Sequence, residues 1–319
     1  MNTVKAWPSL QFFHRMIFVK RLCISFFLIF SLAWTAEASV PSSKGFGDLG
    51  RRSQNETIRF DIPITYNSHV SKWVKYFQNS GRKWFQVWLD RSASYIPHIH
   101  RLLDKRNLPR DLAYLAMIES GYSSQAISSA SAVGYWQFML PTAKRYGLKH
   151  SWWIDERRDI IKSTWAASQY LNDLNKEFNS WYLAASAYNM GETRLRRLVK
   201  KYKSTDFWVL SKQRDFPKET RDYVPKLIAA TMIAKAPHLY GFKAPDGKAL
   251  EYNYFYVPGG TDLFRLAEHL KIERRALLKL NPELLHGIVP KEIPSHRIRI
   301  PLGSAKQVAA YINVRQGHL

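Results

Sequence analysis

The stretch "LAMIESGYSSQAISSASAVGYWQFM", Leu115 to Met139, ends an apolar helical run on an acid and follows it with serines, a glycine and a glutamine. Leu112, Leu115, Ala116 and Glu119 stand at i, i+3, i+4 and i+7, the spacing of one helical face. Glu119 is therefore expected on the core side of the last turn, with Gly121 placed to cap in a left-handed conformation. Two effects then act on its carboxyl in the same direction: desolvation disfavours the ionised form, and the negative end of the helix repels it. A carboxyl kept protonated near neutral pH is a general acid. The competing reading is a buried glutamate satisfied by hydrogen bonds, with no chemistry to do.

Helical patterns surround this stretch. Upstream, Val70, Trp73, Val74 and Phe77 share a face, and Trp84, Trp88, Ile96, Ile99 and Leu103 continue the pattern. Pro109 suits a first helical position and Asp111 a first turn. Downstream, helices are expected over Arg157 to Phe178, Trp181 to Asn189 and Thr220 to Lys235, with Pro225 starting or kinking the last. Asp155 and Glu156, set among arginines in "IDERRD", read as surface pairs. The prolines and glycines of Ala236 to Ala249 break the periodicity and mark a domain boundary. A different grammar follows: a strand and turn (Tyr252 to Gly260), two helices (Thr261 to Leu270 and Glu273 to Pro282) and a closing strand (Arg297 to Pro301). The expected fold class is mainly α with a small βααβ unit.

Lys20 and Arg21, the apolar run Leu22 to Leu32 and the small-x-small "AEA" at Ala36 to Ala38 read as a secretory signal over residues 1–38. The run is short of the roughly 20 residues of a membrane span, although an uncleaved anchor is the alternative. Met16 is a second candidate start. The sole cysteine, Cys23, opens the apolar run, so no lipid anchor is read from it, and cleavage leaves a chain without disulfides or thiolate chemistry. Residues 39–65 read as a linker. The net charge of +23 becomes +20 after cleavage, which favours an anionic wall polymer or lipid headgroups over nucleic acid in an exported protein. The bland alternative is a solvated basic surface. His98 and His100, at i and i+2, do not face each other. No metal or phosphate-binding motif is present, so neither metal nor cofactor is expected.

The ordered set "ES" (Glu119–Ser120), "GYWQFM" (Gly134 to Met139), "AYN" (Ala187 to Asn189) and "ETRDYV" (Glu219 to Val224) resembles the family 1 lytic transglycosylases of bacterial cell walls, most nearly the membrane-bound D type. "YVPGGTDLFRLAEHLKIERRALLKLNP" with the final "IRIP" resembles the LysM peptidoglycan-binding module, although the segment between Leu284 and Ser295 is longer than the usual LysM loop. The alternative for that unit is a βααβ domain that packs on the helices and binds nothing. The resemblance implies a lysozyme-like catalytic domain over 66–243, a LysM-like domain over 252–303 and a tail over 304–319. It implies that Glu119 is the sole acid/base, that Ser128, Gln137 and Asn189 hydrogen-bond the sugar, that Tyr188 and Tyr223 stand close to the carboxyl, and that Met139 walls the groove.

The implied substrate is the glycan strand of peptidoglycan, cut between N-acetylmuramic acid and N-acetylglucosamine with a 1,6-anhydro end, in the periplasm and with association to the wall or outer membrane. A lysozyme- or chitinase-type hydrolase and a non-catalytic wall-binding protein are the alternatives. Two-carboxylate hydrolysis needs a second acid about 5 Å away as nucleophile, or roughly 6.5–9.5 Å away to activate water. None occurs between Glu119 and Asp155. Asp111, two turns back on the same helix, is poorly placed.

Overall fold

The computed structural model describes residues 58–315. The expected export signal, Cys23 and residues 39–57 of the linker lie outside the described residues, as do residues 316–319. Helices α1 (Ser68–Gln78) and α2 (Arg82–Asp104) come first among the described residues, and a 3₁₀ turn (Arg110–Leu112) leads into α3 (Ala113–Ser120). There follow α4 (Leu140–Arg145), a 3₁₀ turn (Glu156–Arg158), α5 (Ile160–Phe178), α6 (Trp181–Met190), α7 (Glu192–Tyr202), the short α8 (Phe207–Leu210) and α9 (Lys218–Lys235). Local chemistry sets the starts. Asn67, Asp159 and Ser180 each accept from backbone N–H groups of the first turn of α1, α5 and α6, the ordinary N-cap bond. α9 runs unbroken through Pro225.

One large core gathers Val70, Phe77, Phe85, Leu89, Ile99, Leu115, Trp136, Leu171, Leu183 and Ile228. α3 lies between α2 and α9, and Ala113 to Ile118 are all buried. The spacing of Leu112, Leu115, Ala116 and Glu119 implied one buried face. The helix is instead covered on every side up to its last turn, because neighbours pack around it. It stops where expected: Gly121 adopts φ +57° and its N–H closes on the Met117 carbonyl at 2.8 Å. A β-carbon there would stand 2.2 Å from the Trp88 indole, so the position needs glycine for space as well as for backbone. Residues 60–65, placed in the linker by composition, pack on this core: Ile62 is buried, and the Tyr182 hydroxyl donates to the Pro63 carbonyl at 2.6 Å.

The C-terminal unit pairs β1 (Asn253–Pro258) antiparallel with β2 (Ser295–Ile300), Asn253 opposite Ile300 and Pro258 opposite Ser295. Between them lie α10 (Leu263–His269), capped by Asp262, and α11 (Arg274–Leu280). This is the expected βααβ order. Residues placed in a tail form a further helix, α12 (Ala305–Arg315), which buries Val308, Tyr311 and Ile312 in the same core as Leu263, Leu277 and Ile298. The tail reading failed because the three apolar positions follow a Pro-Leu-Gly break that looked terminal.

The two parts are joined by buried polar contacts. Ile154 belongs to the C-terminal core, Asp155 donates its N–H to the Glu283 carbonyl at 2.9 Å, and Leu285 donates to the Trp153 carbonyl at 2.9 Å. Arg299 bridges Asp159 at 2.6 Å and Glu283 at 3.3 Å, all three side chains almost wholly buried. Asp155, Glu156, Arg157 and Arg158 are buried too, with Arg157 holding Asp155 bidentately at 2.9 and 2.8 Å. "IDERRD" is therefore an internal ion network and not a surface run. Its acids are paired inside, Asp155 with Arg157, Glu156 with Lys162 and Asp159 with Arg299.

Candidate active site

Glu119 sits in the last turn of α3, half-buried, and receives the hydroxyl of Tyr223 from α9 at 2.5 Å. Burial pushes its carboxyl up to about 7. The Tyr223 bond and the charge of Lys226 pull the other way, and Glu219 adds to the rise. Lys226 itself lies one turn beyond Tyr223. Its ammonium donates to the Ile118 carbonyl at 3.1 Å and faces the rings of Trp73 and Trp88, and burial lowers its own pKa. The carboxyl thus has a proton to give near neutrality and a cation behind it when it has given the proton away.

The loop after α3 is fastened from three directions. Ser120 Oγ donates to the Tyr135 carbonyl at 2.7 Å, Tyr188 from α6 donates to the Trp136 carbonyl at 2.7 Å, and Trp136 Nε1 donates to Thr164 at 2.9 Å in the core. Gly134 has φ +81°, and a β-carbon there would meet the Arg157 carbonyl at 2.1 Å. The glycine of "GYWQFM" therefore allows the loop to lie on the buried ion network.

Gln137 has a left-handed backbone, φ +49°, an unusual state for a residue with a side chain. Its Nε2 donates to the Gly134 carbonyl at 2.9 Å and the Ala126 carbonyl at 3.2 Å. Both amide hydrogens thus serve the loop, which leaves Oε1 to act as an acceptor. Ser128 Oγ accepts the Ala132 N–H at 3.0 Å, which braces the preceding turn and leaves its hydroxyl hydrogen to donate. Met139 is 43% exposed.

Tyr188 packs against Phe138 and Tyr170, and burial raises its pKa well above the phenolic value, with the neighbouring Glu119 charge adding to the rise. Asn189 accepts from Thr220 Oγ1 at 2.6 Å and donates to Glu219 at 3.5 Å. Glu119, Tyr188 and Tyr223 meet directly or through the field of the carboxyl, and Asn189 joins them through Glu219.

Sequence reasoning weighed Asp111, Asp155 and Glu156 as second acids and passed over Glu219 and Lys226. Asp111 is fully buried and paired with Lys235, and it also accepts the Asp61 and Ile62 N–H groups. Asp155 and Glu156 are committed to Arg157 and Lys162. Glu219, exposed at the start of α9, acts on Glu119 through its charge alone. Its place three residues after Phe216 and four before Tyr223, on the turn facing α6, was the available signal. Among the described residues no cluster of His, Cys, Asp or Glu is arranged to hold a metal.

This geometry coincides with a known domain. Residues 98–211 match the family model "Transglycosylase SLT domain", which spans Glu119, Ser128, Gln137, Met139, Tyr188 and Asn189. Residues 98–211 form a transglycosylase SLT domain. Residues 254–313 match "Lytic transglycosylase MltD, LysM-like domain", α12 included. The chain is 40% identical over 160 residues to "Membrane-bound lytic murein transglycosylase D" of Escherichia coli (strain K12), covering 49% of this chain and 34% of that protein. It is 38% identical over 115 residues to "Putative tributyltin chloride resistance protein" of Alteromonas sp. (strain M-1), covering 36% of this chain and 56% of that one. The chain therefore spans about a third of the first relative's length. Among solved structures, the 70 kDa soluble lytic transglycosylase of Escherichia coli aligns over 58% of this chain and 34% of that one, at 19% identity and TM-score 0.41. The expected mainly α class with a small LysM-like unit stands.

Proposed function

We propose that this protein is a peptidoglycan lytic transglycosylase in which Glu119 is both acid and base. The observation that carries the reading is one half-buried carboxyl, raised to about 7 and bonded by Tyr223, inside a transglycosylase SLT domain. Glu119 gives its proton to the glycosidic oxygen as the bond to C1 of N-acetylmuramic acid breaks. The carboxylate so formed then takes the proton of the same sugar's 6-hydroxyl, whose oxygen closes on C1. A 1,6-anhydro end forms, no water is consumed, and Glu119 returns to its protonated state. Lys226 stabilises the carboxylate between the two transfers. Gln137 Oε1 and the Ser128 hydroxyl are positioned to hold the sugar and its acetamido group, with Asn189, Tyr188 and Met139 completing the groove.

The relative named as a membrane-bound murein transglycosylase supports a place in the cell envelope, and the LysM-like unit supports contact with the glycan strand. Among the described residues no helix is long and apolar enough to cross a membrane. The basic chain suits an anionic wall surface. We take 66–243 and 252–303 as the catalytic and glycan-binding parts, extended at either end by residues 60–65 and by α12.

Digestion of purified sacculi by wild type and Glu119→Gln tests the assignment. Muropeptide release by the wild type alone supports it, and equal release by both removes Glu119 from its role. One observation keeps hydrolysis as a second reading: Glu219 is a second carboxylate within electrostatic reach of Glu119.

A further inference from the structure

An open depression of about 620 Å³ lies beside the start of α9 and is walled by Lys72 of α1, Arg194 of α7, Arg214, and Lys218, Arg221 and Asp222 of α9. We propose that this depression binds the acidic peptide branch of the glycan, a short peptide bearing several carboxylates and one free amine. This rests on the reading that the substrate is peptide-bearing peptidoglycan.

The charge pattern selects the ligand. Among the described residues no ion pair engages Lys72, Arg194, Arg214 or Lys218, and all four are exposed. Asp215, also in the wall, is already neutralised by Lys201 and bonded by the Tyr202 hydroxyl at 3.1 Å. Arg221 donates to the Gln213 and Phe216 carbonyls at 3.1 and 3.3 Å, which ties the 213–217 loop to α9, and its buried Nε keeps no partner. Pro217 caps α9 without a side-chain bond, so the first-turn N–H groups are left without one too. Two guanidinium forks and two ammonium groups suit carboxylates. Asp222 in the same wall suits an ammonium. A pure polyphosphate or anionic lipid surface would leave Asp222 facing like charge.

Position agrees with chemistry. α9 runs from Arg221 and Asp222 straight into Tyr223, whose hydroxyl holds Glu119, and Arg194 lies five residues beyond Asn189 across Gly191. The muramic sugar that the site must hold is the one that bears the peptide, and the wall shares α9 with Tyr223.

The test uses Glu119→Gln as the host, so that nothing is cleaved, and a soluble diaminopimelate-containing tetrapeptide as probe. Calorimetry should show binding that weakens at least tenfold in Arg214→Glu combined with Lys218→Glu. Both changes are on exposed side chains, and an unchanged melting temperature will confirm the fold. In the active protein, the ratio of kcat/KM for peptide-bearing over peptide-free glycan should fall by a similar factor. Equal tetrapeptide affinity in host and charge-reversed variant overturns the proposal, as does binding only to inorganic phosphate or to vesicles of anionic phospholipid. Sacculus cleavage without tetrapeptide binding sinks this site and spares the transglycosylase reading. Charge-dependent tetrapeptide binding without sacculus cleavage does the reverse.

Discussion

Tyr223 donates its hydroxyl to Glu119 across the contact between α9 and α3, and on the next turn of the same helix Lys226 donates to the carbonyl of Ile118. One helix therefore supplies both groups that favour the ionised carboxyl, against a burial that disfavours it. The balance puts the group near 7. An acid that must give and recover one proton works best with a pKa close to the surrounding pH.

Removing the carboxyl separates chemistry from stability. Glu119→Gln should lose nearly all muropeptide release. Its pKa is raised in the fold, so the native state holds a proton that the unfolded chain has lost between about pH 4.5 and 7. Wild type therefore loses stability as pH rises through that window, and the glutamine variant does not. Melting curves should show the variant more stable at pH 8, by about 1–2 kcal/mol after allowing for partial solvent access, and equal near pH 4. A variant less stable than wild type at both pH values contradicts the raised pKa.

Both helpers can be tested by pH profile. Tyr223→Phe and Lys226→Met each remove something that lowers the Glu119 pKa. The alkaline limb of activity should move to higher pH in both, with the maximal rate reduced roughly 10- to 100-fold. Lys226→Arg should keep the limb close to its wild-type place. An unshifted limb in Lys226→Met would mean that the lysine only packs against Trp73 and Trp88.

Glu219 raises the Glu119 pKa, so Glu219→Gln should move the alkaline limb to lower pH and reduce the rate by less than about tenfold. Loss as deep as that of Glu119→Gln would make Glu219 a chemical partner and favour two-carboxylate hydrolysis.

The C-terminal unit is expected to unfold with the helices. Asp159, Arg299 and Glu283 form a buried network across the joint, and removing one member leaves uncompensated charge at a cost of about 3–5 kcal/mol. Arg299→Met should lower the melting temperature by several degrees while keeping a single transition. Deleting residues 252–315 should strip cover from Ile154 and Asp159 and destabilise the helical part. Two well-separated transitions in the intact protein would contradict this coupling.

Much of this was legible from local pattern. The end of α3 at Gly121, the spans of α5 and α6 to within a turn, and the βααβ order all follow from residues within a turn or two of each boundary. What stayed hidden depends on distant partners. Asp155 to Asp159 look solvated because their cover comes from Glu283 and Arg299, more than a hundred residues later. Gln137 could be picked out by its motif, but not its left-handed backbone or its two loop bonds. Lys226 gave no signal, since a lysine at that spacing on a helix is usually exposed, and only the packing of α9 on α3 turns it behind the acid.

The most direct test of the account is the mass of the products released from sacculi in isotope-labelled water. Ring closure by the 6-hydroxyl predicts 1,6-anhydro-N-acetylmuramic ends, lighter by one water than reducing ends and free of label. Reducible ends carrying the heavy oxygen would make the enzyme a muramidase and contradict the role assigned to Glu119 as sole acid and base.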